Sequence, residues 1–115
     1  MRSIEAERTR YRIRIGRLGE AKQLTHLAQI ESIRRAVGAS GLPAILDNRR
    51  KSPRPRLAFG PAIALGYESL AEYFDLELSG RALVDDVARK LGEALSGGFS
   101  VRAVRRIPRF FPSLE

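Results

Sequence analysis

The chain has no cysteine and no tryptophan, and only one histidine and one methionine. Without thiols there is no disulfide, no thiolate metal site and no Cys nucleophile, and a single imidazole leaves the usual zinc and non-haem iron ligand sets incomplete. No cofactor is expected, since neither a P-loop nor a dinucleotide fingerprint occurs, and no nucleophile–base pair is spelled out by spacing. Long apolar runs are missing too. The longest weakly polar run, "GPAIALG" at 60–66, is far short of a spanning helix, and the opening "MRSIEAERTR" lacks the apolar segment of a signal peptide. The simplest expectation is a cytoplasmic protein with no membrane contact.

What is present is a composition for one globular domain: 115 residues, 43% hydrophobic and 30% charged, suffice to build a real core. Twenty-one Lys and Arg against thirteen Asp and Glu give +8, a balance that favours polyanionic partners. Most of the cations are Arg, whose guanidinium forks onto phosphate through two donors at once. The acidic residues gather between 68 and 93, leaving both flanks basic.

Read for order, Arg10–Ile15 alternates Arg, Tyr, Arg, Ile, Arg, Ile, a half-buried strand with one apolar and one cationic face. Thr25 is a helix N-cap, followed by an apolar stripe of Leu27, Ile30, Ile33 and Val37. Ala44–Leu46 reads as a brief edge strand, and Leu57–Phe59 and Tyr73–Leu78 as strands that pair antiparallel. Arg81–Leu95 reads as a second helix burying Leu83, Val84, Val87, Leu91 and Leu95, stopped by Gly97 and Gly98, and Phe99–Val104 as a last strand. The order predicts an α+β fold, a ferredoxin-like split βαβ sandwich whose antiparallel sheet carries two helices on one face. Residues 1–106 form a single domain on this reading, and 107–115 a tail.

The densest functional signal is "NRRKSPRPRLAFG" at 48–60. Arg49, Arg50, Lys51, Arg54 and Arg56 lie on a segment that Pro53 and Pro55 stiffen, and they are the expected phosphate or RNA contacts. Arg10, Arg12 and Arg14 on the first strand extend them. Tyr11 points inward and the strand signature of an RNA-recognition sheet is absent, so base stacking on the sheet is not expected; recognition would be by backbone charge and shape. Asp75 and Glu77, with Tyr73 and Glu72, are expected as salt-bridge partners of the Arg strand rather than as a metal site. Only Arg34 and Arg35 make the first helix basic, too little for a membrane-surface helix. His26 at a helix start reads either as a structural imidazole bonded to backbone or as the acid–base group of a metal-independent endoribonuclease.

Several segments together give a resemblance: "YRIRIGRLGE" at 11–20, Leu24-Thr25-His26-Leu27, Arg35-Ala36, Gly41-Leu42-Pro43, Pro53–Phe59 and above all "GYESLAEYFDLEL" at 66–78. In that last block Gly66, Glu68, Ser69, Glu72, Tyr73, Asp75 and Leu78 stand in family order. The chain resembles the radical-SAM-linked protein family, a bacterial domain of unknown function fused to or encoded beside radical SAM proteins. Against that pattern an acidic residue is replaced by Ala28, and a Gly-Phe-Asn-Pro-His-Pro-Lys loop by Lys51-Ser52-Pro53-Arg54-Pro55-Arg56. The chain also stops where the second half of such a protein would begin. The resemblance implies an accessory module without a catalytic role of its own.

Three functions follow as expectations. The first is an RNA-binding or phosphate-binding accessory module acting through the basic loop. The second is an adaptor that docks on a radical SAM protein, or pairs as a homo-dimer, through Ile107, Phe110, Phe111 and Leu114 of the tail. The third is the endoribonuclease.

Overall fold

The computed structural model describes residues 8–49, 51–108 and 110–114. Arg50 of the expected loop contacts lies outside the described residues.

The alternation of the first strand holds over a longer span than the sequence suggested: β1 is Arg8–Arg17, with Tyr11, Ile13 and Ile15 turned to the interior and the intervening arginines to the other face. A short 3-10 helix, Gly19–Gln23, leads into α1, His26–Ala39, whose N-cap Thr25 accepts a hydrogen bond from Ala28 N at 3.1 Å. After α1 come β2 (Leu46–Asp47), β3 (Arg54–Pro55), β4 (Leu57–Phe59), β5 (Ser69–Ser79), α2 (Val84–Ala94) and β6 (Phe99–Ile107).

The main sheet has the order β4-β5-β1-β6, antiparallel throughout. Together with two helices covering one face, this is the ferredoxin-like split βαβ arrangement expected from the element order. The core lies between that face and the helices: Tyr11, Ile13, Ile15, Phe74, Leu76 and Leu78 from the strands meet Ile33, Val37, Val87 and Leu91. Tyr11 fixes β1 to the start of α2, its hydroxyl donating to Ala82 O at 2.6 Å and accepting from Ala82 N at 2.8 Å.

Two helix faces differ from the apolar stripes read in the sequence. In α1 Leu27 is 69% exposed, while Gln29 is buried with Ile33, Ala36 and Val37. In α2, which begins at Val84, Leu83 and Val84 face solvent, and Val87, Leu91 and Leu95 make the buried side. The cause in α1 is polar. Arg17, past a bulge in β1, turns inward and is wholly buried, donating to Gln29 Oε1 at 2.8 Å and to the carbonyls of Lys22 and Leu24 at 3.0 Å. Gln29 in turn donates to Glu72 Oε1 at 3.2 Å. Glu72 therefore belongs to this interior network and not to the acidic strand face where the sequence placed it.

Residues 43–45 and β4 share one edge of β5, with Ala44 bridged to Leu78 and Leu57 to Leu76. Between them the chain is extruded as the β2–β3 hairpin, whose neck is closed by Arg56 N donating to Ile45 O at 2.9 Å. At the other end of the sheet Gly98, with φ of +96°, lets Leu18 N reach its carbonyl at 2.9 Å; a Cβ there would run into the Leu18 carbonyl. Among the described residues no helix is long and apolar enough to cross a membrane.

Candidate phosphate-binding face

The hairpin places the loop cations on a two-stranded arm with only two paired positions, too little to hold itself in water. Charge ties supply the rest. Arg54 reaches α1, donating to both Glu31 carboxylate oxygens at 3.1 and 3.2 Å. Arg49 forks onto Asp47 at 3.0 and 3.1 Å; these bonds hold the Asp47 carboxyl down at about 2 and raise the Arg49 guanidinium above its ordinary value. Arg56 stands 3.8 Å from Glu77. Of the described loop cations, Lys51 alone has no ion-pair partner among the described residues. Arg49, Arg54 and Arg56 thus each face an acid.

The open face of the sheet divides differently. At one end Asp75 holds two arginines: Arg12 through Nε and Nη2 at 2.8 Å each, and Arg10 through Nη2 at 3.0 Å. The bond to Asp75 raises the Arg12 guanidinium above its ordinary value, against the lowering effect of burial. Glu77 sits 3.8 Å from Arg8 as well as from Arg56. This is the salt-bridge ladder expected between β1 and β5.

The tail lies over the same end. Ile107, the last residue of β6, is buried. A turn then brings Phe111 N back to Pro108 O at 3.0 Å. Arg10 Nη1 donates to Phe111 O at 2.6 Å, Arg12 Nη2 to Pro112 O at 3.2 Å, and the Phe111 ring faces the Arg12 guanidinium at 5.7 Å. Of the four tail residues named for docking, Ile107 is buried at the end of β6 and outside the helix-covered core, Phe111 and Leu114 are half-buried against the sheet, and Phe110 stands 88% exposed.

Beyond Arg12 no carboxylate among the described residues stands at ion-pair distance from the arginines of this face. Arg14 lies opposite Tyr73 on β5 and Ala103 on β6, and Arg105 lies opposite Arg12. Arg14 donates to Leu70 O at 3.2 Å, and Arg105 has no partner among the described residues. Two guanidinium groups directly across a sheet repel, so the Arg12–Arg105 pair is a cost that a bound anion would offset. Arg12, Arg14, Tyr73, Ala103, Arg105 and Leu114 line a cup of about 400 Å³. Beside it a Cβ on Gly16 would meet Arg102 Cδ at 3.4 Å and Leu70 Cδ2 at 3.5 Å, which brings a further cation to this end of the face.

The sequence reading did not single out Arg102, Arg105 or Tyr73 as ligand-facing. The signal was present in "SVRAVRR" at 100–106, whose alternation on a strand beside β1 puts Ala103 and Arg105 on the side of Arg12 and Arg14. His26 heads α1 with its Nδ1 buried and without a hydrogen-bond partner among the described residues. Among the described residues no three His, Asp or Glu side chains gather as a metal-holding group.

A family model described as an uncharacterized protein conserved in bacteria (DUF2344) matches residues 10–115. No curated protein sequence matches the chain.

Proposed function

We propose that this chain, which belongs to the DUF2344 family of uncharacterized bacterial proteins, binds RNA or another phosphate-rich partner on the open face of its sheet. The observation that carries the reading is the pair Arg14 and Arg105, lining one cup with Tyr73 and with no carboxylate at ion-pair distance among the described residues, in a chain of net charge +8. Forked guanidinium donors with unspent charge suit phosphate. The basic loop, with Lys51 and the exposed Arg49, becomes a flank of that surface and not its centre. We further propose the relationship that the sequence resemblance implies, that the module serves a radical SAM protein.

Counterion release supplies the test. For a single-stranded oligonucleotide log K falls against log salt by about 0.7 per phosphate neutralised, so three engaged cations give a slope of about −2. Changing Arg14 and Arg105 together to Gln is expected to flatten it by about 1.4, and changing Arg49 and Arg56 to flatten it less, since each already faces a carboxylate. A wild-type slope near zero would sink the reading.

A second reading, an adaptor docking on a radical SAM protein, is favoured by Phe110 alone, an aromatic ring left outside the fold. Retention of the chain by a co-expressed radical SAM protein, lost in Phe110→Ser, is its expected signature. Equal retention of both proteins would count against it.

A further inference from the structure

The cup on the open face is asymmetric in a way that bulk charge attraction does not require. Its β5 side is the ring of Tyr73, 41% exposed; its β1 and β6 sides are the guanidinium groups of Arg14 and Arg105; its floor on the β6 side is Ala103. Small Ala103, directly across from Arg14, leaves the strand surface low on the β6 side, so a group held between Arg14 and Arg105 has room there. Arg12, fixed by Asp75, forms the wall on one side, and Leu114 adds an apolar rim. From β5 to β6 is two interstrand spacings, about 10 Å, a distance that a nucleotide spans from base to phosphate. A volume of about 400 Å³ lies at the low end of small-ligand pockets and admits one such unit.

From this arrangement, and resting on the reading that the face binds a phosphate-rich partner, we infer that the cup holds one nucleotide of a single-stranded nucleic acid, its base stacked on Tyr73 and its phosphate forked by Arg14 and Arg105. An aromatic ring flanked by guanidinium groups is the combination by which single strands are held, the ring taking any base face and the cations tracking the backbone. A polyphosphate would use the cations and ignore the ring. A duplex would also meet the cations, but its bases are stacked on one another and none is free to lie on Tyr73. The sheet thus has a stacking position after all, supplied by β5 rather than by β1, where Tyr11 is turned inward and bonded to Ala82.

The experiment compares three probes by fluorescence anisotropy at one salt concentration: a short single-stranded oligoadenylate, a duplex of the same length, and inorganic polyphosphate of matched charge. Tyr73 is an exposed strand residue, so Tyr73→Leu and Tyr73→Phe keep the fold, and a thermal melt of each checks it. Tyr73→Leu is expected to weaken oligoadenylate about tenfold or more while leaving polyphosphate and duplex unchanged, and Tyr73→Phe to restore the wild-type value. If Tyr73→Leu weakens none of the probes, or all three alike, there is no stacked nucleotide and the inference falls, while the basic-face reading stands on its salt slope. If the wild type binds none of the probes, that reading falls as well and takes this one with it.

Discussion

Arg12 grips Asp75 through two parallel hydrogen bonds, Nε to Oδ1 and Nη2 to Oδ2, each 2.8 Å long. Arg10 shares the same Oδ2 at 3.0 Å, so one carboxylate restrains two cations on the face proposed to meet phosphate. Asp75→Asn should therefore move two measurements in opposite directions. Stability is expected to fall by about 1 to 3 kcal/mol, because the Asp75 site is nearly closed to water and loses charge-assisted bonds. Affinity for a polyanion is expected to rise, with a salt slope steeper by about 0.7 to 1.4 as the released cations engage phosphate. A destabilised variant whose salt slope is unchanged would show that Arg10 and Arg12 stand outside the binding surface.

The buried network of Arg17, Gln29 and Glu72 makes a second expectation. Removing the guanidinium in Arg17→Met strands three acceptors, and Gln29→Leu takes the acceptor from Arg17 Nη1 and the donor from Glu72 Oε1; each is expected to cost about 2 to 4 kcal/mol. The double variant replaces both partners by apolar groups and should cost less than the sum of the two. Denaturant midpoints of the four proteins close the cycle. Strict additivity would mean that the two side chains stabilise the fold independently.

That network also explains what could and could not be read from the sequence. Strand β1 was legible because a period of two needs no partner to be seen. The face of α1 was not, since Gln29 takes a core position that an apolar scan assigns to Leu27. With Gln29 included, 29, 33, 36 and 37 form an ordinary helical stripe; the reason to include it is the arginine twelve positions earlier that needs an acceptor. The loop arginines were legible as a cluster and illegible as pairs, because Glu31 and Glu77 reach them only through the tertiary fold. For the same reason Arg105 showed no sign of standing across from Arg12.

Asp47 and Arg49 give an expectation in pH. The folded carboxyl titrates at about 2 against an ordinary 3.8, chiefly because Arg49 hydrogen-bonds its charged form. A depressed carboxyl contributes stability that is fully present above its unfolded value and lost as pH falls through the folded one. The tie in the hairpin should hold down to about pH 4 and be lost toward pH 2, seen as an Asp47 carboxyl-carbon midpoint near 2 by NMR. In Arg49→Gln that midpoint is expected to move up toward 3.8. An unmoved midpoint would show that the fork does not persist in solution.

The last expectation concerns the tail. Phe111 and Pro112 present carbonyl oxygens to Arg10 and Arg12, and the Phe111 ring lies over Arg12, so residues 110–114 occupy surface that phosphate would otherwise reach. A chain ending at Ile107 keeps the core, which lies on the other side of the sheet, and should stay folded. Two effects on binding then separate by their salt dependence. Opening Arg10 and Arg12 to phosphate should steepen the salt slope by about 0.7 to 1.4, whereas losing Leu114 from the cup removes an apolar contact that salt hardly touches. Affinity is accordingly expected to gain at low salt and fall at high salt relative to the full chain. Ile107, uncovered, should make the shortened protein more prone to self-association, which light scattering at micromolar concentration would register. If slope, melting temperature and scattering all match the full chain, the tail does not rest on the sheet in solution, and its apolar residues are free for a partner instead.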